Sequence, residues 1–392
     1  MREWLLDFIV CPACRGMLAL RPAKLHLRRD SDDRRIEQGI LSCAACKHHY
    51  PVIGAIPRLV PPEQLTDQER AAAERLARHK GPPEEETVSL LSEEEVRQRL
   101  ERMERSRQQQ LFGDNAYHRS RLKIRIAWAV EYAGKRTKHV RTVWPCLEQP
   151  ITSIVEVGGG TGGYLSSFAA ETGAQRGVLI EIQETPCEMA LLRNPDTEVI
   201  RADAHALPFP DGAFDLVISS MVLEHLADWR RGALEMARVG RQSYISYSPN
   251  GAFPYDHGHV DAPVHAWMPR PVAVRVAYWF NRLRRTKRTL EAIRTVLGGL
   301  NLVPRRRLTR LLRRNGFASS PLFERLVRFS VREERPWKPM RAKRLLSRHP
   351  WVASWIARAL VLLGAEPVVS LYIKTNRSPA RAPADEVGAA SA

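Results

Sequence analysis

The chain has 392 residues, 44% hydrophobic and 27% charged, a globular composition that excludes collagen-like and wholly disordered chains. At about 150 residues per domain this length suggests two or three domains, with chain enough for a real core. Its 61 Lys and Arg against 43 Asp and Glu give a net +18, and Arg270 to Pro350 alone holds 23 basic against four acidic residues, so the remainder is close to neutral; charge so placed bears on partners rather than on fold.

Met1-Arg2-Glu3-Trp4-Leu5-Leu6-Asp7-Phe8-Ile9-Val10 has acids inside its apolar stretch and no small-residue cleavage site, so it does not read as a secretory signal. Trp351 to Gly364 is apolar but interrupted by Arg358 and shorter than the ~18–20 residues of a spanning helix. The expected address is cytoplasmic, free or at the inner membrane face, where thiols stay reduced. Cys11-Pro12-Ala13-Cys14 and Cys43-Ala44-Ala45-Cys46 are then read as metal ligands, since two C-x-x-C turns supply the four thiolates that tetrahedral zinc requires. The long stretch between them predicts a hairpin or a loop with the charged run Arg28 to Glu37 at its tip. A vestigial site and a redox pair are the competing readings, the latter leaving one cysteine pair unexplained. Cys146 and Cys187 are single thiols.

Leu5 to Cys14, followed by Tyr50-Pro51-Val52-Ile53-Gly54-Ala55-Ile56-Pro57, resembles the Trm112-like zinc-ribbon family over about residues 3–60. Members of that family stabilise and activate methyltransferases, and some are fused to them. The resemblance implies a structural zinc on Cys11, Cys14, Cys43 and Cys46, within a domain spanning residues 1–60.

Residues 61–110 turn rich in Glu, Arg, Gln and Ala around Gly81-Pro82-Pro83, which predicts a linker of two charged helices. From 111 to 250 strand-like and helical runs alternate, the pattern of a parallel α/β sheet. Ile151 to Val157 predicts a strand running into Glu156-Val157-Gly158-Gly159-Gly160-Thr161-Gly162-Gly163, where glycines let the backbone turn sharply and come close to a ligand. A glycine pattern of this kind is weak evidence by itself. Glu156 before it suits a cationic ammonium rather than a pyrophosphate. The next strand, Gly177 to Ile180, ends at Glu181, placed to accept ribose hydroxyls, which a dinucleotide would also want. Asp203-Ala204-His205-Ala206-Leu207-Pro208-Phe209 and Phe214-Asp215-Leu216-Val217-Ile218-Ser219-Ser220 follow.

In combination these motifs resemble the class I S-adenosylmethionine-dependent methyltransferases, of the type 11 kind, over about residues 117–250. The resemblance implies a seven-stranded Rossmann-like α/β sheet. It places Glu156, Gly158, Gly160 and Gly162 near the methionine end, Glu181 on the ribose and Ile182 against the adenine face. Asp203 and Ala204 fall at the adenine edge, with Ser219 and Ser220 beneath the sulfonium. A dinucleotide dehydrogenase or an inactive Rossmann-like fold is the rival reading.

A base is needed only for a hydroxyl or protonated amine acceptor. The candidates are His225 in Met221-Val222-Leu223-Glu224-His225 and Asp256, His257, His259 and His265 in the loop after the fifth strand. A second metal there and a loop whose histidines only satisfy backbone groups are both open. Ser248-Pro249-Asn250 with Phe253-Pro254 and His265-Ala266-Trp267 is similar to a branch of bacterial methyltransferases associated with surface-glycan assembly.

The Arg-rich remainder predicts basic helical insertions over 265–363 within a domain spanning 111–376, then a disordered tail over 377–392. Leu308 to Phe317 reads as the helix before the sixth strand with Gly316 as its C-cap, and Pro367 to Ile373 as the last strand. Aromatics among arginines in Pro271 to Leu300 and His349 to Gly364 fit an interfacial helix on anionic lipid, a nucleic-acid track or an ordinary helical cap. The reading is a methyltransferase carrying its ribbon in cis, with a hydroxyl of a glycan or lipid-linked intermediate as acceptor. RNA or a translation factor is the alternative acceptor, and a zinc-ribbon adaptor with an inactive cofactor fold the alternative to an enzyme. The oligomeric state is not legible.

Overall fold

A computed structural model describes residues 1–29, 33–112, 140, 142–248, 259–260, 262, 267–284, 289–325, 327, 350–363 and 368–375. Asp256, His257 and His265, Pro249 and Asn250, residues 113–139 and the predicted tail 377–392 lie outside these.

The first sixty residues form a four-stranded antiparallel ribbon. Strands β1 (Leu18–Arg28) and β2 (Arg34–Cys43) make the hairpin between the cysteine pairs, followed by β3 (His49–Ile53) and β4 (Ile56–Leu59). The charged run Arg28 to Glu37 is not all tip, because β2 starts at Arg34. Arg34 to Glu37 already belong to β2, with Ile36 turned into the core.

The stretch expected as a linker holds its two helices, α1 (Asp67–Arg78) and α2 (Glu93–Phe112). Each begins with a reciprocal cap, Thr66 with Glu69 and Ser92 with Glu95, the spacing that starts a helix in water. Between them Gly81-Pro82-Pro83 does not merely break the chain. It turns it into strand β5 (Glu84–Val88), which adds in parallel to β1. Leu100 of α2 packs on Met189 of the domain that follows, so the segment is docked rather than free.

That domain supplies β6 (Ser153–Val157), α3 (Gly163–Thr172), β7 (Arg176–Glu181), α4 (Glu184–Arg193), β8 (Glu198–Ala202), β9 (Phe214–Ser220), α5 (Trp229–Val239) and β10 (Gly240–Ser248). Among the described residues four further helices follow: α6 (Arg270–Leu283), α7 (Leu290–Gly298), α8 (Arg305–Arg314) and α9 (Pro350–Leu363). Strands β11 (Phe317–Pro321) and β12 (Val368–Lys374) complete the seven-stranded Rossmann-like sheet, ordered β11-β12-β10-β9-β6-β7-β8. Its strands are parallel except β12, which runs antiparallel to both neighbours. Strands β6 and β8 are buried along their whole length, as expected where both sheet faces are covered. Gly316, at φ +83°, ends the turn after α8 as its sequence position predicts.

The ribbon continues this sheet. Strand β4 pairs in parallel with β8, Arg58 opposite Arg201 and Leu59 opposite Ala202, making one twelve-stranded sheet. One core cluster accordingly runs from Leu5, Ile9 and Tyr50 of the ribbon to Val155, Ile200 and Phe214. At the outer end of β8 the buried Glu198 meets Arg2 Nη1 at 3.0 Å and Arg35 Nη2 at 3.7 Å.

Asp215, at the start of β9, accepts hydrogen bonds from Thr152 N and Oγ1 at 2.9 and 2.8 Å, and from Ser153 N and Oγ at 3.1 Å each. Burial opposes its charge, but these donors outweigh it and hold the carboxyl below the ordinary aspartate range. Its contribution is therefore present above the unfolded pKa, near 3.8, and fades as pH falls through the lower folded value. Asp215→Asn is expected to cost about 1–3 kcal/mol at pH 7. Denaturant unfolding should show that gap shrink below pH 4; an equal gap at pH 7 and pH 3 would refute the assignment.

Candidate functional site

The sheet order reverses between β6 and β9, and crevices of α/β sheets open at the carboxyl ends of strands at such a point. The glycine loop sits there because three of its residues hold left-handed backbone: Gly158 at φ +67°, Gly160 at +54° and Gly162 at +81°. Gly158 N donates to Ile180 O at 2.7 Å, and Gly160 N donates to Glu181 Oε2 at 3.1 Å, tying the loop to the end of β7. Glu181 Oε1 also accepts from Ile182 N and Gln183 N, at 2.8 and 3.0 Å, where α4 begins. Glu156 is buried, and its Oε2 accepts from Leu165 N at 2.8 Å in the first turn of α3. This carboxylate braces the helix under the loop, where a negative group complements the N-terminus. A Cβ on Gly160 would meet open space, whereas one on Gly158 would strike Val222. The loop is thus a cradle closed beneath and open above.

Ile182 is 39% exposed at this rim, a large apolar side chain presented as a planar ring would need it. Asp203 follows β8, and its Oδ1 accepts from His205 N at 2.8 Å and lies 2.6 Å from His205 Nδ1. Asp228 N donates to His205 Nε2 at 3.2 Å, which assigns the His205 proton to Nδ1. Burial works against the Asp203 charge, yet these bonds keep its carboxyl below the usual range. Ala204 is buried beside it. Ser219 and Ser220 end β9, Ser219 buried with no hydrogen-bond partner for Oγ among the described residues. Met221 follows at φ +60°, an uncommon backbone for a side chain of its size and a local strain at the mouth of the crevice.

The ribbon and the segment after it reach the same rim. Arg201 of β8 donates from Nε to Ile182 O at 2.9 Å and from Nη2 to Gln64 O at 3.0 Å, and its Nη1 bonds Glu69 Oε2. Glu69 Oε1 lies 2.8 Å from Arg58 Nε as an ion pair rather than a directed hydrogen bond. Gln64 Nε2 stands 3.5 Å from Asp203 Oδ2, and Val10 N donates to Pro208 O at 2.9 Å. Sequence reasoning missed Arg201, Glu69 and Gln64. Local spacing does not signal an ion pair between residues so far apart in the chain.

Beyond β9 a single turn, Leu223–His225, carries the buried Glu224 and the exposed His225. His259 returns to this turn, its ring 5.5 Å from that of His225 and edge-on to it. Although His225 as a residue is open to solvent, the protein packed around its ring, and then the neighbouring His259, hold its pKa below the usual histidine value, which favours the neutral ring at pH 7. Asn301 pins the turn, N donating to Glu224 O and Nδ2 to Leu226 O, both at 2.7 Å. Asn301 also lines a cavity of about 210 Å³ with Met268, Arg270, Ala273, Leu297 and Leu300.

In the ribbon, the four sulfurs of Cys11, Cys14, Cys43 and Cys46 lie within 4.8 Å of one another, with Cys11–Cys46 and Cys14–Cys43 at 3.5 Å. That is too far for disulfides, whose sulfurs are ~2.05 Å apart, and suits thiolates around one ion with bonds of ~2.3 Å. Arg15 and Lys47, each following a C-x-x-C pair, take left-handed backbone at φ 60° and 64° and fold both turns toward one point. Tyr50 Oη and His48 Nδ1 approach Cys11 and Cys46 at 3.2 Å, where donors to the sulfurs tune a bound metal. The cluster is consistent with zinc, closed by four ligands.

Residues 155–243 match the family described as methyltransferase domain, and residues 2–54 that described as Trm112p-like protein. A Mycolicibacterium vanbaalenii protein described as an uncharacterized methyltransferase is 35% identical over 99 residues, 24% of this chain and 39% of its own length. A Mycobacterium tuberculosis protein named as a probable S-adenosylmethionine-dependent methyltransferase is 33% identical over 95 residues, 22% of this chain and 35% of its own. The chain thus spans well under half the length of these curated relatives. Among solved structures, a Haloferax volcanii complex containing the Trm112 methyltransferase activator is 13% identical, covering 64% of this chain and 96% of that one at a TM-score of 0.36.

Proposed function

We propose that this chain, which joins an N-terminal Trm112-like domain to a class I S-adenosylmethionine-dependent methyltransferase domain, methylates a hydroxyl of a glycan or lipid-linked intermediate. The observation that carries the methyltransferase reading is the cradle itself: left-handed glycines tied to Glu181 at the point where the strand order reverses. Bound there, S-adenosylmethionine supplies a methyl group that is already electrophilic, so the protein's task is alignment and exclusion of water.

Each residue has a role in that task. Glu156 braces the loop, and Gly158, Gly160 and Gly162 admit the methionine end. Glu181 receives the ribose, Ile182 covers the adenine face, and Asp203 with Ala204 borders the adenine edge. Ser219 and Ser220 floor the reacting end. A hydroxyl acceptor must lose its proton, and neutral His225, with His259 beside it, stands at the mouth to accept one. The four-cysteine cluster holds zinc as structure, and the segment that follows the ribbon steadies the adenine side in cis, Gln64 reaching Asp203 and accepting from Arg201 through its backbone oxygen.

The helices after β10 support the acceptor reading. Helix α6 exposes Trp279 and Leu283 beside Arg282 and Arg284, an apolar-plus-cationic surface suited to anionic lipid headgroups, and α9 exposes Trp351 and Trp355. No helix among the described residues is long and apolar enough to cross a membrane, so such contact would be peripheral. Incubation with methyl-labelled S-adenosylmethionine and lysate fractions tests both parts. Label is expected in glycan or lipid. Label in RNA or protein would overturn the acceptor, and cofactor binding without label in any fraction would overturn the enzyme.

A further inference from the structure

A glutamate and two histidines at the mouth of the site form a constellation that methyl transfer by alignment alone does not require. One carboxylate oxygen of Glu224, one ring nitrogen of His225 and one of His259 all lie within 4.8 Å of one another. His259 Nε2 stands 3.7 Å from Glu224 Oε1, too far for a hydrogen bond. Ligand atoms on a shared ion, each ~2.0–2.2 Å from it, are separated by about 3–4 Å. The three donors are therefore close to the spacing of a coordination shell and need only a small inward movement to complete it.

The backbone behind the donors is held from outside the cluster. Asn301 fixes both Glu224 O and Leu226 O, and His225 N closes the turn onto Val222 O at 2.8 Å. On the other side Asn281, wholly buried in α6, donates to Val260 O at 2.7 Å and anchors the residue next to His259. The basic helical cap thus supplies two asparagines, each with a side-chain amide bonded to backbone next to a donor, Asn281 also donating to Ala277 O of its own helix. Ligands on independently pinned segments are how a metal site is preorganised.

Donor chemistry narrows the ion. Two imidazoles and one carboxylate suit zinc, iron, manganese or cobalt in the divalent state, rather than magnesium or calcium, which take oxygen ligands. Three protein ligands leave coordination positions open for a water or a substrate oxygen, unlike the closed four-cysteine site. We propose that Glu224, His225 and His259 bind a divalent first-row transition-metal ion whose open positions take the acceptor hydroxyl. With the ion bound, His225 and His259 are its ligands rather than the base: the ion's charge acidifies that hydroxyl, its proton leaves to solvent water and the oxygen stays on the metal. The ion's use rests on the hydroxyl-acceptor reading above; its binding does not.

The test is titration of Co2+ into the full-length protein whose ribbon is already loaded with zinc. One further equivalent is expected, with weak visible d–d bands and without the near-ultraviolet sulfur-to-cobalt charge transfer that a cysteine site gives. His225→Ala, His259→Ala and Glu224→Gln should each weaken that equivalent at least tenfold. His225 is exposed, so its variant keeps the test independent of folding. Absence of a further equivalent in the wild type, or its survival undiminished in His225→Ala and His259→Ala, would overturn the proposal. Binding lost in these variants, without methylation of any hydroxyl, would support the metal site while retiring the acceptor reading.

Discussion

Gly158→Ala is expected to weaken S-adenosylmethionine binding by at least 100-fold while the chain stays folded. Two penalties meet at this position. Its φ of +67° lies in the left-handed region, which costs an L-residue roughly 1–2 kcal/mol. The new Cβ would also stand 2.4 and 2.9 Å from the two methyl carbons of Val222, and overpacking of this kind costs about 1–3 kcal/mol. The loop can relieve the clash only by moving, and Val222 can yield only by shifting the turn that carries His225, whose N–H rests on Val222 O. A loss of about 2.7 kcal/mol corresponds to the 100-fold change. Calorimetric titration with the cofactor, beside a thermal melt, measures it. Gly173→Ala is the control: its φ is +69°, but nothing lies within 4 Å of its Cβ and it sits at the far end of α3. That variant should lose about 1–2 kcal/mol of stability and no cofactor affinity. Near wild-type affinity in Gly158→Ala would mean that the loop is not the cofactor cradle.

Glu69→Ala should be the most destabilising single change at the junction of ribbon and sheet. Glu69 is 2% exposed between Arg58 at 1% and Arg201 at 8%. Removing it leaves two guanidinium groups side by side with their shared counter-charge gone, and deletion of one partner from a buried ion cluster costs about 3–5 kcal/mol. It also removes half of the reciprocal cap that starts α1. The effect should reach the cofactor, because Arg201 holds Ile182 O as well as Glu69. The expected result is a denaturation midpoint well below wild type together with weaker cofactor binding. Glu69→Gln, which preserves the shape, should fall between the two. A loss under 1 kcal/mol for Glu69→Ala would show that the cluster is incidental to docking.

These residues mark where the sequence is legible and where it is not. The cysteine pairs, the glycine loop and the acid ending β7 are local patterns, set by the turn geometry of a few adjacent residues, and they can be read without knowing what lies opposite. The helix–turn–strand around Gly316 is legible for the same reason. Glu69 reads as one more solvated charge in an acidic, arginine-rich stretch, because its partners lie in β4 and β8 and only the sheet brings them together. Asp215 belongs to a recognisable motif, but its grip on Thr152 and Ser153 appears only when β9 is laid beside β6. The basic segment is ambiguous for a related reason. Arg305 and Arg306 direct their Nη2 groups to Val361 O and Leu363 O at the end of α9, so part of the charge excess closes a helix terminus rather than facing a partner.

Joining the ribbon to the sheet also decides which strands are left at its margins. Without β4, strand β8 would offer unpaired backbone groups along a strand that is now buried throughout, Val199 and Ile200 among its residues, the kind of rim that recruits other chains. With the ribbon in place that margin moves outward from β8 to β5, while β11 stays at the other end. Strand β5 begins Glu84-Glu85-Glu86, all exposed, and β11 ends in Ser319-Ser320-Pro321. Like charges repel a second copy at one margin, and a missing N–H interrupts the ladder at the other. Severing the chain after residue 60 would therefore change colloidal behaviour before it changed chemistry, because an aggregation-prone border would be uncovered.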